Sequence, residues 1–239
     1  MTYVEGFVVP VPAENKEAFR TQAAGLAPLF KECGVRRQVE CWGDDVPHGK
    51  LTDFYGAVQA KEDETVVFAW FEYPDKATRD AANEKMRTDP RMQPRDDNPF
   101  DGKRMIYGGF QSIVDEKADG VTGYVDGYLL PVPEGKKEAY RALAQKVAGK
   151  FTDYGAVRVV EAWGDDVPEG KVTDYQRAVK VQDGEGIIYS YVEWPDKETR
   201  DKGWATLMSD PDMQADHEMP FDGKRMFWGG FAPLIDNAA

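Results

Sequence analysis

Twice in this sequence a carboxylate stands two residues before a tryptophan inside a strand-like stretch, at Glu40-Cys41-Trp42 and at Glu161-Ala162-Trp163. An acid held among rings is poorly solvated. Its pKa then rises toward neutrality, which suits it to general acid–base work or to gripping a polar ligand. Glu5, Glu72 and their counterparts Asp126 and Glu193 admit two readings: acids at strand rims, solvated or paired with Lys and Arg, or acids lining a pocket. The other chemistry-bearing groups point less far. Asp44-Asp45 and Asp165-Asp166 precede Val-Pro, where aspartates serve turns and caps, and the oxygen-ligand pattern of a calcium loop is missing, so no metal is expected. Asp101-Gly102-Lys103-Arg104 lacks the upstream glycine and the Ser/Thr of a phosphate loop and reads as a turn into a strand. His217-Glu218-Met219-Pro220 has no second histidine for a zinc motif. No cofactor is expected, and no catalytic residue can be assigned.

Those repeated acids sit within a larger repetition. Tyr3–Asp115 aligns with Tyr124–Asp236 without a gap, at an offset of 124 − 3 = 121 residues, and nearly half of the pairs are identical. WGDDVP (Trp42–Pro47, Trp163–Pro168), PFDGKRM (Pro99–Met105, Pro220–Met226) and the following GGF are the longest matches. The chain is therefore a duplication, with expected domains at 1–117 and 122–239. The joint, Glu116–Gly123, is polar and glycine-containing, and residues 118–121 form the linker proper. Neither histidine is repeated: His48 stands opposite Glu169 and His217 opposite Asp96, which argues against haem, whose axial ligand is usually histidine. Cys33 and Cys41 are replaced by Tyr154 and Ala162, so no disulfide framework or thiol chemistry common to both copies is expected, and a reducing cytoplasm is the expected setting.

Composition narrows the partners. With 41% apolar and 31% charged residues the chain is globular rather than disordered, and a formal charge of −13 repels nucleic-acid phosphates and anionic lipid. No export signal and no membrane-spanning run is evident in the sequence.

The elements follow from periodicity. Tyr3–Pro10 alternates as a strand. Ala13–Cys33 carries Phe19, Ala23, Leu26, Phe30 and Cys33 on one helical face and stops at Gly34, with Pro28 predicting a kink that the second copy need not share. Val35–Trp42 is a strand followed by a loop. Phe54–Lys61 and Thr65–Glu72 flank an acidic turn as a hairpin, a helix N-capped by Asp75 runs to Asp89–Pro90, and Arg104–Val114 is the last strand. The order β-α-β-(β)-β-α-β is ferredoxin-like.

Successive strand residues face opposite ways. One face of the first copy holds Val4, Gly6, Val8, Val39, Cys41, Val67, Ala69, Phe71, Ile106, Gly108 and Phe110, and is expected under the helices. The other holds Tyr3, Glu5, Phe7, Glu40, Trp42, Phe68, Trp70, Glu72, Met105 and Tyr107, with a matching aromatic set in the second copy. So aromatic a face would not stay in water, and the two sheets are expected to cover each other.

The opening YVEGFVVPVP, the GDDVPxGKxTD loop and the closing PFDGKRMIYGGF resemble the YbaA-like family of uncharacterised bacterial proteins, domain of unknown function 1428, over nearly all of both copies. The resemblance implies the dimeric α+β barrel superfamily, in which two ferredoxin-like units pack their antiparallel sheets face to face; here that arrangement would be intrachain. It implies no agreed activity and no catalytic residue. The wider superfamily includes cofactor-free monooxygenases, isomerases, haem peroxidases and stress-response proteins, among which fold alone cannot choose.

The first functional expectation is an α+β pseudo-dimer that binds a small, partly apolar molecule between its repeats. The candidate ligand-binding residues are Glu40, Trp42, Trp70, Tyr107, Glu161, Trp163, Tyr191 and Trp228. The alternatives are a cofactor-independent isomerase or oxygenase with a carboxylate base, and an interaction protein with a solid interface and no cavity. Lys50, Lys171, Lys103-Arg104 and Lys224-Arg225 either grip an anionic ligand at the cavity mouth or are ordinary surface charge. No nucleic-acid or membrane partner is expected, and fusion should leave the chain a self-contained monomer or a weak homodimer.

Overall fold

A computed structural model of the protein describes residues 2–93, 97–214 and 219–238; His217 and its counterpart Asp96 lie outside them. The first repeat runs through β1 (Tyr3–Pro12), α1 (Lys16–Cys33), β2 (Arg37–Asp45), α2 (Phe54–Ala57), β3 (Glu64–Tyr73), α3 (Lys76–Thr88) and β4 (Ile106–Lys117). The second repeats it as β5 (Tyr124–Pro133), α4 (Lys137–Asp153), β6 (Arg158–Asp166), α5 (Tyr175–Ala178), β7 (Glu185–Trp194), α6 (Lys197–Ser209) and β8 (Phe227–Ala238). Both repeats are α+β with antiparallel strands. Among the described residues no helix is long and apolar enough to cross a membrane.

The two expected sheets take the form of one closed barrel, ordered β1-β3-β2-β8-β5-β7-β6-β4. Closure comes from the long last strand of each repeat. β4 pairs with its own β1 through Ile106–Gln111 and with β6 of the other repeat through Gly109–Lys117, and β8 does the same between β5 and β2. A closed barrel leaves no unpaired strand edge, the usual site of unwanted association.

Local chemistry explains the elements. Gly34 ends α1 in the left-handed region at φ 104°, where a side chain would be strained. Asp75 and Asp196 cap α3 and α6 by accepting from the backbone N–H of Thr78 and Thr199. Pro28 lies inside α1, which continues past it.

The expected hairpin at Phe54–Lys61 is instead the short helix α2. Asp53 accepts from the N–H of Gly56 (2.6 Å) and from that of Gly49 (2.9 Å), which winds the chain and aims Phe54 into the barrel. A side chain at Gly49 would collide with the Thr52 carbonyl, so the loop closes this tightly only on glycine.

The expected division of faces holds for β3 and β7 and is reversed on β1, β2 and β4. Phe68 and Trp70 point into the barrel, but so do Val4, Val8, Val39, Cys41, Ile106 and Phe110. Glu40 and Trp42 point outward, beneath α1. The reason is volume. Rings from one repeat need space on the other: a Cβ at Gly6 would lie 2.6 Å from the Tyr189 ring, and one at Gly127 would lie 2.9 Å from Phe68. Small and aliphatic side chains therefore line β1 and β5 where the β7 and β3 rings arrive.

Candidate functional site

The barrel interior is filled rather than hollow. Phe54, Phe68, Trp70, Phe110, Tyr189, Tyr191 and Phe231 are fully buried. Trp70 stacks on Tyr191 at 4.1 Å between centroids, and Phe68 stacks on Tyr189 at 4.6 Å. Phe54 meets Phe227 and Phe231 of the second repeat edge-on, while Tyr175 meets Phe110 of the first. Such interleaving leaves a packed core where a shared cavity was anticipated.

Beside the Trp70–Tyr191 stack the repeats exchange charges. Arg158 grips Glu72 (2.6 and 3.1 Å) and Asp115 (2.8 and 3.0 Å), and its counterpart Arg37 grips Glu193 (2.8 and 2.6 Å) and Asp236 (2.8 Å at each oxygen). The guanidiniums lie over the two rings, Arg37 at 5.8 Å from Trp70 and Arg158 at 5.9 Å from Tyr191. Every one of these charges has a partner, so the cluster is an inter-repeat clasp. Its signal was legible: arginine and acid recur at the same offset, Arg37 with Arg158, Glu72 with Glu193, Asp115 with Asp236.

The repeated motifs are spent in the same way. Asp44 and Asp45 reach across to Tyr124 (2.9 Å), Lys197 (2.6 Å) and Arg200 (3.0 Å) of the second repeat. Asp165 and Asp166 reach back to Tyr3 (3.0 Å) and Arg79 (2.5 Å) of the first. Arg104 of the PFDGKRM turn holds Glu64 through two 2.6 Å contacts and also donates to the Gln59 carbonyl; Arg225 and Glu185 repeat the pair at 2.7 Å. Neither Arg37 nor Arg104 pairs with Glu40.

The sequence-predicted residues separate into three groups. Trp70 and Tyr191 come together in the core. Tyr107 and Trp228 are on the outer surface, 46% and 36% exposed, with the Arg200 guanidinium 5.3 Å from the Trp228 ring. Glu40, Trp42, Glu161 and Trp163 lie between the sheets and the helices, where Lys16 and Lys137 sit 5.3 and 4.6 Å over the two tryptophans. Burial pushes the carboxyls of Glu40 and Glu161 up to about 7. Their surroundings differ: the Tyr140 hydroxyl donates to Glu161 at 2.6 Å, whereas Phe19 stands in its place beside Glu40. Glu40 is left with the amide of Gln38, which donates from 3.3 Å.

Sequence reasoning passed over Gln38, and the structure makes it distinctive. It is 2% exposed, its Nε2 donates to the Ala23 carbonyl and to Glu40, and its Oε1, itself fully covered, has no hydrogen-bond partner among the described residues. Gln38 also lines a groove of about 500 Å³ between α1 and the β2–β8 edge, walled by Ala24, Ala27, Pro28, Phe30 and Val35. Lys31 and Asn237 stand at the same groove. Pro28 supplies no N–H, so the carbonyl of the exposed Ala24 loses its helical donor at that wall. The available signal was the asymmetry itself, a polar Gln38 where the other copy has Val159.

Known proteins agree with this architecture. "Uncharacterized protein YbaA" of Escherichia coli (strain K12) is 64% identical over 117 residues, which is 48% of this chain and 100% of that protein. An anthrone oxidase-like protein of known structure superposes with a TM-score of 0.53 at 14% identity, covering 100% of this chain and 93% of that one. A candidate monooxygenase from Lactobacillus acidophilus NCFM gives a TM-score of 0.50 at 8% identity, covering 99% and 96%. At such identities these two structures speak for the fold, a dimeric α+β barrel, and no further. The family described as "Protein of unknown function (DUF1428)" matches residues 2–102 and again residues 123–223, and the chain belongs to that family, carrying it twice.

Proposed function

We propose that this protein is a small-molecule-binding pseudo-dimer whose site is the groove between α1 and the β2–β8 edge. The observation that carries the reading is Gln38: a buried side chain, lining an open apolar groove, with an acceptor that nothing satisfies. Buried polar atoms are nearly always paired, and an orphan beside a groove is a position that a ligand donor can fill. The groove's volume lies in the ordinary range for small-molecule sites, and its walls are mainly apolar with few polar groups, as such sites require. The ligand that fits is small, largely apolar, and carries an N–H or O–H donor for the Gln38 oxygen. Residues 1–117 and 122–239 are taken as the two halves of the pseudo-dimer, needing no second chain to complete the site.

A second reading, proton transfer on the bound molecule, is favoured by Glu40. A carboxyl pushed up to about 7 can exchange a proton near neutral pH, and it lies one side chain behind the groove, so the step requires Gln38 to swing aside and let the bound molecule reach it.

Native mass spectrometry of protein purified without denaturation should show a retained small molecule. Gln38→Leu should lose it in a chain that stays folded, with a melting temperature lowered only by the loss of its bonds to Ala23 and Glu40. Retention by Gln38→Leu, together with loss on Trp70→Leu, would place the ligand in the barrel and refute the groove.

A further inference from the structure

The groove exists in two sequence copies, and they differ at the positions that form it. In the first repeat Ala24 on α1 and Asn237 on β8 line opposite sides of the opening. Their counterparts at the 121-residue offset are Gln145 on α4 and Glu116 on β4, and Gln145 Nε2 donates to Glu116 Oε2 at 3.0 Å. Arg141 Nε also donates to the Ile113 carbonyl at 3.3 Å, drawing α4 further onto β4. Ala148 is completely buried, whereas its counterpart Ala27 lines the first groove. A hydrogen-bonded latch therefore spans in the second repeat the space that is open in the first.

The polar groups differ in step. Gln38 is replaced by Val159, and Pro28 by Gly149, so the second copy has neither the orphan amide oxygen nor the missing helical N–H. The exposed Lys31 is replaced by Thr152, whose hydroxyl donates into its own helix at the Ala148 and Gly149 carbonyls. Glu161 has its Tyr140 donor, as described above.

We propose that the chain binds one ligand rather than two, in the first repeat alone, and that the ligand is a small apolar molecule bearing a hydrogen-bond donor at one end and an anionic group at the other. This rests on the groove reading above. The donor meets Gln38 Oε1 once the amide, whose oxygen is fully covered behind the groove wall, turns into the opening, and the anion meets Lys31 at the rim. The net charge of −13 does not forbid this, because charges beyond about 8 Å are largely screened at physiological ionic strength, and the nearest cation decides. Duplication would thus have turned a symmetric pair of grooves into one working site and one strut.

The probe that tests this is 8-anilinonaphthalene-1-sulfonate, which combines apolar rings, one N–H and one sulfonate. Equilibrium dialysis against the full chain should give one dye per chain. Lys31→Gln should weaken it about tenfold, the loss of one charge-assisted contact. Ala24→Gln/Asn237→Glu, which installs the latch in the first repeat, should abolish binding. Should that pair not fold, Gln38→Leu alone should weaken the dye by a similar factor while leaving the fold intact. Two dyes per chain would overturn the asymmetry while sparing the groove. No dye at all, or binding indifferent to both the latch and Gln38→Leu, would overturn the groove reading itself. Binding indifferent to Lys31→Gln alone would remove the anionic group from the ligand.

Discussion

Trp70 and Tyr191 occupy equivalent positions in the two repeats, 121 residues apart in sequence, yet their rings lie 4.1 Å apart and within 20° of parallel. A residue can touch its own counterpart only near the axis that relates the copies, so this stack marks the centre of the pseudo-dimer. Its loss should be felt throughout. Trp70→Ala removes a fully buried side chain and should cost about 3–5 kcal/mol of unfolding free energy, measured by urea denaturation. A loss below about 1 kcal/mol would mean the two repeats are held elsewhere.

The clasp beside the stack should behave as a buried ion network. Arg158→Met removes the two-pronged partner of Glu72, leaving it the longer 3.4 Å contact to Arg37, and should destabilise by about 1–3 kcal/mol. Restoring apolarity with Glu72→Leu in the same chain should recover much of that loss. A double variant no better than the single one would argue that Arg158 acts chiefly through Asp115.

Stability should depend on pH through Glu40 and Glu161. Both carboxyls are raised by burial to about 7 in the folded protein, against 4.5 for the free group. The folded state therefore binds protons more tightly than the unfolded chain. The stability from this source is fully present below about pH 4.5 and is lost as pH rises through about 7, amounting to roughly 2–4 kcal/mol for each acid. Glu40→Gln/Glu161→Gln should flatten that part of the stability–pH curve. An unchanged slope between pH 5 and 8 would show that neither acid titrates there.

The tight loop before each short helix should not accept a side chain. Gly49→Ala and Gly170→Ala would drive a methyl group against the Thr52 and Thr173 carbonyls, displacing the caps Asp53 and Asp174 and the ring of Phe54 or Tyr175. Each should cost about 1–3 kcal/mol, read from the denaturation midpoint.

Fusion should make folding independent of concentration. The partner that a single-copy relative must find in solution is tethered here at high effective concentration. Circular dichroism should report the same melting temperature across a hundredfold dilution. A melting temperature that falls with dilution would mean that a second chain completes the fold.

The duplication, the α+β class with antiparallel strands and the helix caps were readable from the sequence, because they rest on identity at a fixed offset, on 3.6- and 2-residue periods and on capping chemistry; that the strands close into one eight-stranded barrel was not. β3 and β7 were also placed the right way round. What failed was the orientation of β1, β2 and β4. Alternation divides a strand into two faces without saying which is inside, and an aromatic, acid-bearing face looked like the one to hide between sheets. In the barrel, Gly6 and Gly127 face inward to receive Tyr189 and Phe68, and so Glu40 and Glu161 turn outward under α1 and α4.

The candidate site divides along the same line. Sequence alone placed Trp70 and Tyr191 on the face to be shared by the repeats and set Glu40 and Glu161 in apolar strands beside Trp42 and Trp163, where burial would raise a carboxyl. It also held the differences between Gln38 and Val159, Ala24 and Gln145, and Asn237 and Glu116. Only the tertiary structure decided that these residues form two equivalent places, Ala24, Gln38 and Asn237 at one and Gln145, Val159 and Glu116 at the other. α1 and β8 are about two hundred residues apart along the chain, and only barrel closure brings Asn237 opposite Ala24. Only packing leaves the Gln38 oxygen without a donor in one repeat while Gln145 bonds Glu116 across the same space in the other.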